Sequence, residues 1–157
     1  MKVFRNFAFC IAVFLISGCV SLPQTMEEFR SSATGQHVFS TSKSLESSYQ
    51  LVAANTVLCH QGDTEQMFNS TGNFFVFPTS QTRVEGAIDL NKGTAAISIQ
   101  YFNPVGSGLL QVIDFKRISS VNTQIVVHKI NETKKWRTAT ESVEGWFSGG
   151  KSCFHML

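Results

Sequence analysis

Arg83-Val84-Glu85-Gly86-Ala87-Ile88-Asp89-Leu90-Asn91-Lys92-Gly93-Thr94-Ala95-Ala96-Ile97-Ser98-Ile99-Gln100-Tyr101 alternates with a period of two on both sides of a short polar turn. Val84, Gly86, Ile88 and Leu90 share one face, and Arg83, Glu85, Ala87 and Asp89 share the other. Successive side chains of a strand point to opposite faces, so this pattern predicts a half-buried strand. Asn91-Lys92-Gly93 is a three-residue hairpin connection with Gly where a positive φ is wanted. Beyond it Ala95, Ile97, Ile99 and Tyr101 continue the inward set, and Ala96, Ser98 and Gln100 face out.

Toward the C-terminus, Asn103 to Gly108 reads as a second turn. Leu109 to Ile118 and Thr123 to Ile130 read as further strands joined at Ser119 to Asn122. Short intervals and tight turns predict an antiparallel meander. Past a polar turn at Asn131 to Lys135, Trp136, Ala139, Thr140, Val143, Trp146 and Phe147 recur at helical spacing. Gly145 weakens that helix, and Gly149-Gly150 ends it.

Toward the N-terminus, Phe74 to Phe77 is a strand stopped by Pro78, preceded by a polar loop over Asp63 to Gly72. Leu45, Tyr49, Val52, Thr56 and Cys59 form one helical stripe. Ser44 is its N-cap, Glu46 suits the dipole, and Gly62 is its terminator. Gln36 to Thr41 reads as a first strand. The predicted class is α+β: an antiparallel sheet of about five to six strands packed by an N-terminal-half helix and a C-terminal helix. It occupies residues 35–157 as one domain.

The first residues read as an export signal. Lys2 and Arg5 precede an uncharged apolar run from Phe7 to Ile16, followed by the small residues Ser17 and Gly18. The run is far shorter than the roughly 20 residues of a membrane-spanning helix. Ile16-Ser17-Gly18-Cys19 resembles the lipobox of bacterial lipoproteins, with Ile in place of the usual Leu. That resemblance implies cleavage before Cys19 and acylation of its sulfur, palmitate included, and of its new amino group. It makes residues 1–18 a lipoprotein signal peptide and residues 19–34 a lipid-anchored tether. Within the tether Met26 and Phe29 are available to dock as a short helical turn. Val20 stands where an Asp would favour inner-membrane retention, which implies the outer membrane, on the periplasmic side. Several acyl chains together hold a protein on a bilayer where one does so only marginally.

Without Lys2 and Arg5, eleven basic residues balance eleven acidic ones. No basic excess is left to neutralise phosphates, which argues against nucleic acid as a partner. With Cys10 removed and Cys19 lipidated, Cys59 and Cys153 remain, an even pair in an oxidising compartment, and one disulfide is expected. A zinc site of Cys59, His60, Cys153 and His155 is the alternative, disfavoured because adjacent Cys-His rarely aims both side chains at one ion.

No G-x-S-x-G, H-E-x-x-H, P-loop or Rossmann pattern is present, and no Cys-x-x-Cys. No catalytic residue, metal or cofactor is therefore expected. Asp114 and His128, each in a predicted strand, are the acid and base to watch should they meet. The element order resembles the helix-grip (START-like) arrangement and, in outline, a cystatin-like sandwich. Helix-grip members often hold apolar ligands between sheet and helix, which here implies a cavity lined by Phe75, Ile97, Ile99 and Trp146. The expected function is a non-enzymatic envelope module that binds an apolar ligand or an envelope protein. The alternative is a periplasm-facing hydrolase.

Overall fold

The structure is a computed structural model that describes residues 22–60, 65–68, 74–77, 82–103 and 106–153. Of residues 65–68, 74–77, 103 and 106 only the backbone is described. Residues 1–18, read as an export signal, Cys19 and His155 lie outside these residues.

In chain order the elements are α1 (Met26–Ser32), β1 (Gly35–Thr41), α2 (Leu45–His60), β2 (Glu65–Phe68), β3 (Phe74–Phe77), β4 (Thr82–Asp89), β5 (Thr94–Asn103), β6 (Gly106–Arg117), β7 (Thr123–Lys129) and α3 (Lys134–Phe147). Five strands form an antiparallel sheet in the order β1-β7-β6-β5-β4. β2 and β3 pair separately, so a strand lies inside the stretch read as a polar loop. The class is α+β, with helices packed on the sheet.

The turn that organises the sheet forms as its residues dictate. Gly93 has φ +69°, and the Asp89 carboxylate accepts the amides of Asn91 and Lys92 at 3.0 Å. The helices begin and end on local chemistry too. Ser44 Oγ accepts the Ser47 amide at the start of α2. α3 closes with Gly149 at φ +85° while the amides of Gly149 and Gly150 donate back to the carbonyls of Trp146 and Gly145, the Schellman arrangement.

α2 and α3 cover the inner face of the sheet. Ile97, Ile99, Ile113, Phe115, Ile125 and Val127 meet Leu45, Val52, Val57, Trp136, Val143 and Trp146 in one core. Gly86 lets α2 approach β4, since a Cβ there would stand 2.5 Å from the Tyr49 hydroxyl. Cys59, on the buried stripe of α2, is joined by a disulfide to Cys153 beyond α3.

The outer face differs from the sequence expectation. The segment read as a tether is structured from Leu22 onward. Thr25 caps α1, its hydroxyl accepting the Glu28 amide, while Glu28 reaches back to the Gln24 amide. Pro23 carbonyl accepts the Leu109 amide at 2.7 Å, and Gln24 bonds the Ser107 carbonyl. Leu22 lies directly over Gly108, where a Cβ would collide with it, and packs against the inner core rather than the outer one. Phe29 is fully buried against Leu109 and Val112, a second small core on this face. A bulge helps to build it. The β5–β6 register shifts between Ile99 and Gln100, so Leu110 is an extra residue that joins the inner core while Leu109 turns outward. Ser98, expected to face solvent, pairs with Val112 and is buried.

Candidate functional site

The densest polar cluster sits where α1 crosses the outer face. Arg30, one turn beyond Met26, meets Asp114 of β6 through two parallel bonds. Nε donates to Oδ2 at 2.7 Å and Nη2 to Oδ1 at 2.6 Å. This bidentate fork is the strong form of a guanidinium–carboxylate pair. From the neighbouring strand β7, His128 Nε2 lies 2.9 Å from Asp114 Oδ2. An ionised carboxylate only accepts, so the imidazole carries its proton on Nε2. Nδ1 is buried and has no hydrogen-bond partner among the described residues.

The sequence singled out Asp114 and His128, and the fold brings them together. It missed Arg30. The signal was available in Thr25-Met26-Glu27-Glu28, a T-x-x-E capping box that announces a helix, with Phe29 and Arg30 one turn further along.

Burial pushes the Asp114 carboxyl up, but the hydrogen bonds from His128 and Arg30, with the Arg30 charge, outweigh it and hold the pKa below its ordinary value. A carboxylate whose folded pKa is depressed contributes stability that is present above the unfolded value of about 3.9 and is lost as pH falls through the folded one. Asp114→Asn is therefore expected to cost about 1 to 2 kcal/mol at neutral pH, the pair being partly solvent-screened. The deficit should shrink on acidification below about pH 4, where the wild-type protein loses the same contribution. Urea unfolding of both proteins across that range tests this; parallel acid limbs would show that the Asp114 charge stabilises nothing.

As a reacting group the cluster is quiet. His128 is 5% exposed, its proton-bearing nitrogen is engaged, and the other is buried. A general base must reach the proton it removes. Asp114 is held by a guanidinium on its open side. Beside the clamp a trough of about 560 Å³ runs over the outer face, floored by Ala87, Ala96 and Val126, with Lys92 and Lys116 along it. A second cleft of about 750 Å³ lies between the end of β1 and α3, beside the 2.7 Å contact of His37 with Glu144.

Three of the four residues named for the cavity implied by the helix-grip resemblance are described, and they lie in the core between sheet and helices. Ile97 and Ile99 are each 1% exposed and Trp146 is 6% exposed, all within the inner core. Their side chains pack between the sheet and the helices. Phe75 lies in β3, and its side chain is outside the described residues. The disulfide occupies both sulfurs of the zinc alternative, and no group of three metal-ligating side chains occurs among the described residues. No helix among them is long and apolar enough to cross a membrane.

No family model and no curated protein matches the chain. Among solved structures, the di-domain ARO/CYC StfQ from the steffimycin biosynthetic pathway is similar at 12% identity and a TM-score of 0.38. The match covers 74% of this chain and 43% of that one, so the chain spans less than half of that protein's length. A likeness this distant carries neither fold assignment nor activity across.

Proposed function

We propose that this protein is a lipid-anchored module of the bacterial cell envelope, non-enzymatic, acylated on Cys19 and held at the outer membrane facing the periplasm. The observation that carries the reading is the docking of the N-terminal segment. Leu22, three residues after Cys19, already packs on the sheet, and Phe29 and Arg30 fasten the helix that follows. A disulfide suits the oxidising compartment to which the signal segment directs the chain. The packed inner core favours a protein partner of the envelope over an apolar ligand as what the module engages.

The alternative, a periplasm-facing hydrolase, has the 2.9 Å contact of His128 with Asp114 in its favour. Against it stand the burial of His128 and the Arg30 fork. Intact-mass measurement of protein extracted from membranes tests the main reading. The expected mass is that of a chain beginning at Cys19 with its acyl groups, and Cys19→Ser should lose them and accumulate uncleaved. A mature form without acyl mass, or one that keeps residues 1–18, would overturn it.

A further inference from the structure

The docked segment fixes which end of the sheet meets the bilayer. Leu22 lies over Gly108, and Pro23 bonds Leu109, at the start of β6. Three peptide units separate Cys19 from Leu22 and span at most about 11 Å. A lipid on Cys19 therefore brings the N-terminal end of β6 close to the headgroups. β7 is antiparallel to β6, so its last residue, Lys129, lies at the same end, and α3 begins five residues later.

That start of α3 is unusually basic. Lys134, Lys135 and Arg137 are exposed, and none has an acidic partner among the described residues. The first turn contains no acidic residue, although the helix dipole favours acids there and disfavours lysines. Phe102, at the end of β5 on this same edge, is 36% exposed. The acidic residues nearby are largely accounted for. Glu132 pairs with Lys129 at 2.9 Å and Glu28 accepts the Gln24 amide, leaving Glu27 exposed on the outer face. Exposed cations, with an aromatic at the same end of the sheet, match the chemistry of an anionic lipid interface.

We infer that Lys134, Lys135 and Arg137, with Phe102, form a rim that seats this domain end-on against anionic phospholipid headgroups of the membrane holding Cys19. The inference rests on the lipid-anchored reading. Charge unfavourable to the isolated helix is offset when the rim meets a negative surface, where each cation strengthens attraction roughly fivefold. The seat also sets orientation. The β4–β5 and β6–β7 turns, at the opposite end, with exposed Leu90, Ile118 and Val121, point away from the bilayer.

The mature lipoprotein reconstituted into vesicles tests this, using phosphatidylcholine alone or mixed with phosphatidylglycerol. Amine-reactive labelling is read by mass spectrometry at Lys134 and Lys135, with Lys92 and Lys116 at the far end as internal references. Phosphatidylglycerol is expected to lower labelling at Lys134 and Lys135 severalfold relative to the references, and high salt to restore it. In the K135E/R137E variant, Lys134 remains the reporter. Its labelling should no longer respond to phosphatidylglycerol, while thermal unfolding shows the fold intact. Acylated, vesicle-bound protein whose labelling is the same in both lipids would overturn the rim and leave the anchor standing. Protein that carries no acyl group and stays off both vesicles would overturn the anchor itself.

Discussion

Phe29→Ala is expected to lower the free energy of unfolding by about 3 to 4 kcal/mol. The side chain is fully buried, between α1 and the outer face of the sheet. Truncation removes its transfer free energy and leaves a cavity that Leu109 and Val112 on a rigid strand cannot close. In a chain of this size that corresponds to a melting temperature about 10 °C lower. The same substitution in a solvated tether would change stability by less than about 0.5 kcal/mol. Urea unfolding of the two proteins decides between these cases, and a change within that smaller bound would mean that α1 does not belong to the fold.

Breaking the Cys59–Cys153 bond is the second large effect. The residues stand 94 positions apart, so the bond closes a loop covering most of the described chain. Loop-closure entropy for that length stabilises by about 4.5 kcal/mol, and less where the reduced chain keeps residual structure. Cys153→Ser is the better variant, because Cys153 is exposed and Cys59 is buried. A loss of about 3 to 4 kcal/mol is expected, matched by wild-type protein under reductant. Reductant should have no further effect on the variant. Equal stability of oxidised and reduced wild-type protein would show that the bond constrains nothing.

Most of the sheet was legible because its inner face follows a clean period of two. Val84 to Tyr101 predicted both strands and their turn, and the stripe from Leu45 to Cys59 predicted α2 almost to the residue. The outer face was not legible, for a physical reason. Alternation reports burial on one side only, and here Val112, Ser98 and His128 are buried on the other by a helix of seven residues. α1 is too short to show a helical period, and its capping box is its main local mark. β2 was hidden because Glu65 to Phe68 has a strand's length but a loop's polarity. At the candidate site, strand assignments placed Asp114 and His128 separately. Their meeting depends on the β6–β7 register, which follows from three-dimensional pairing and not from composition.

The N-terminal segment also decides how the molecule bears load. A pull applied at Leu22 meets its attachments in series: first the Pro23–Leu109 bond, then the Phe29 plug, then the Arg30–Asp114 fork. Only after these yield does tension reach β1, which is held to β7 by a seven-residue register from Gly35↔Lys129 to Thr41↔Thr123. Traction from the Gly35 end runs along the strand, so those pairs would resist in shear, together, and not unzip one at a time. Under such a pull α1 would yield before the sheet does.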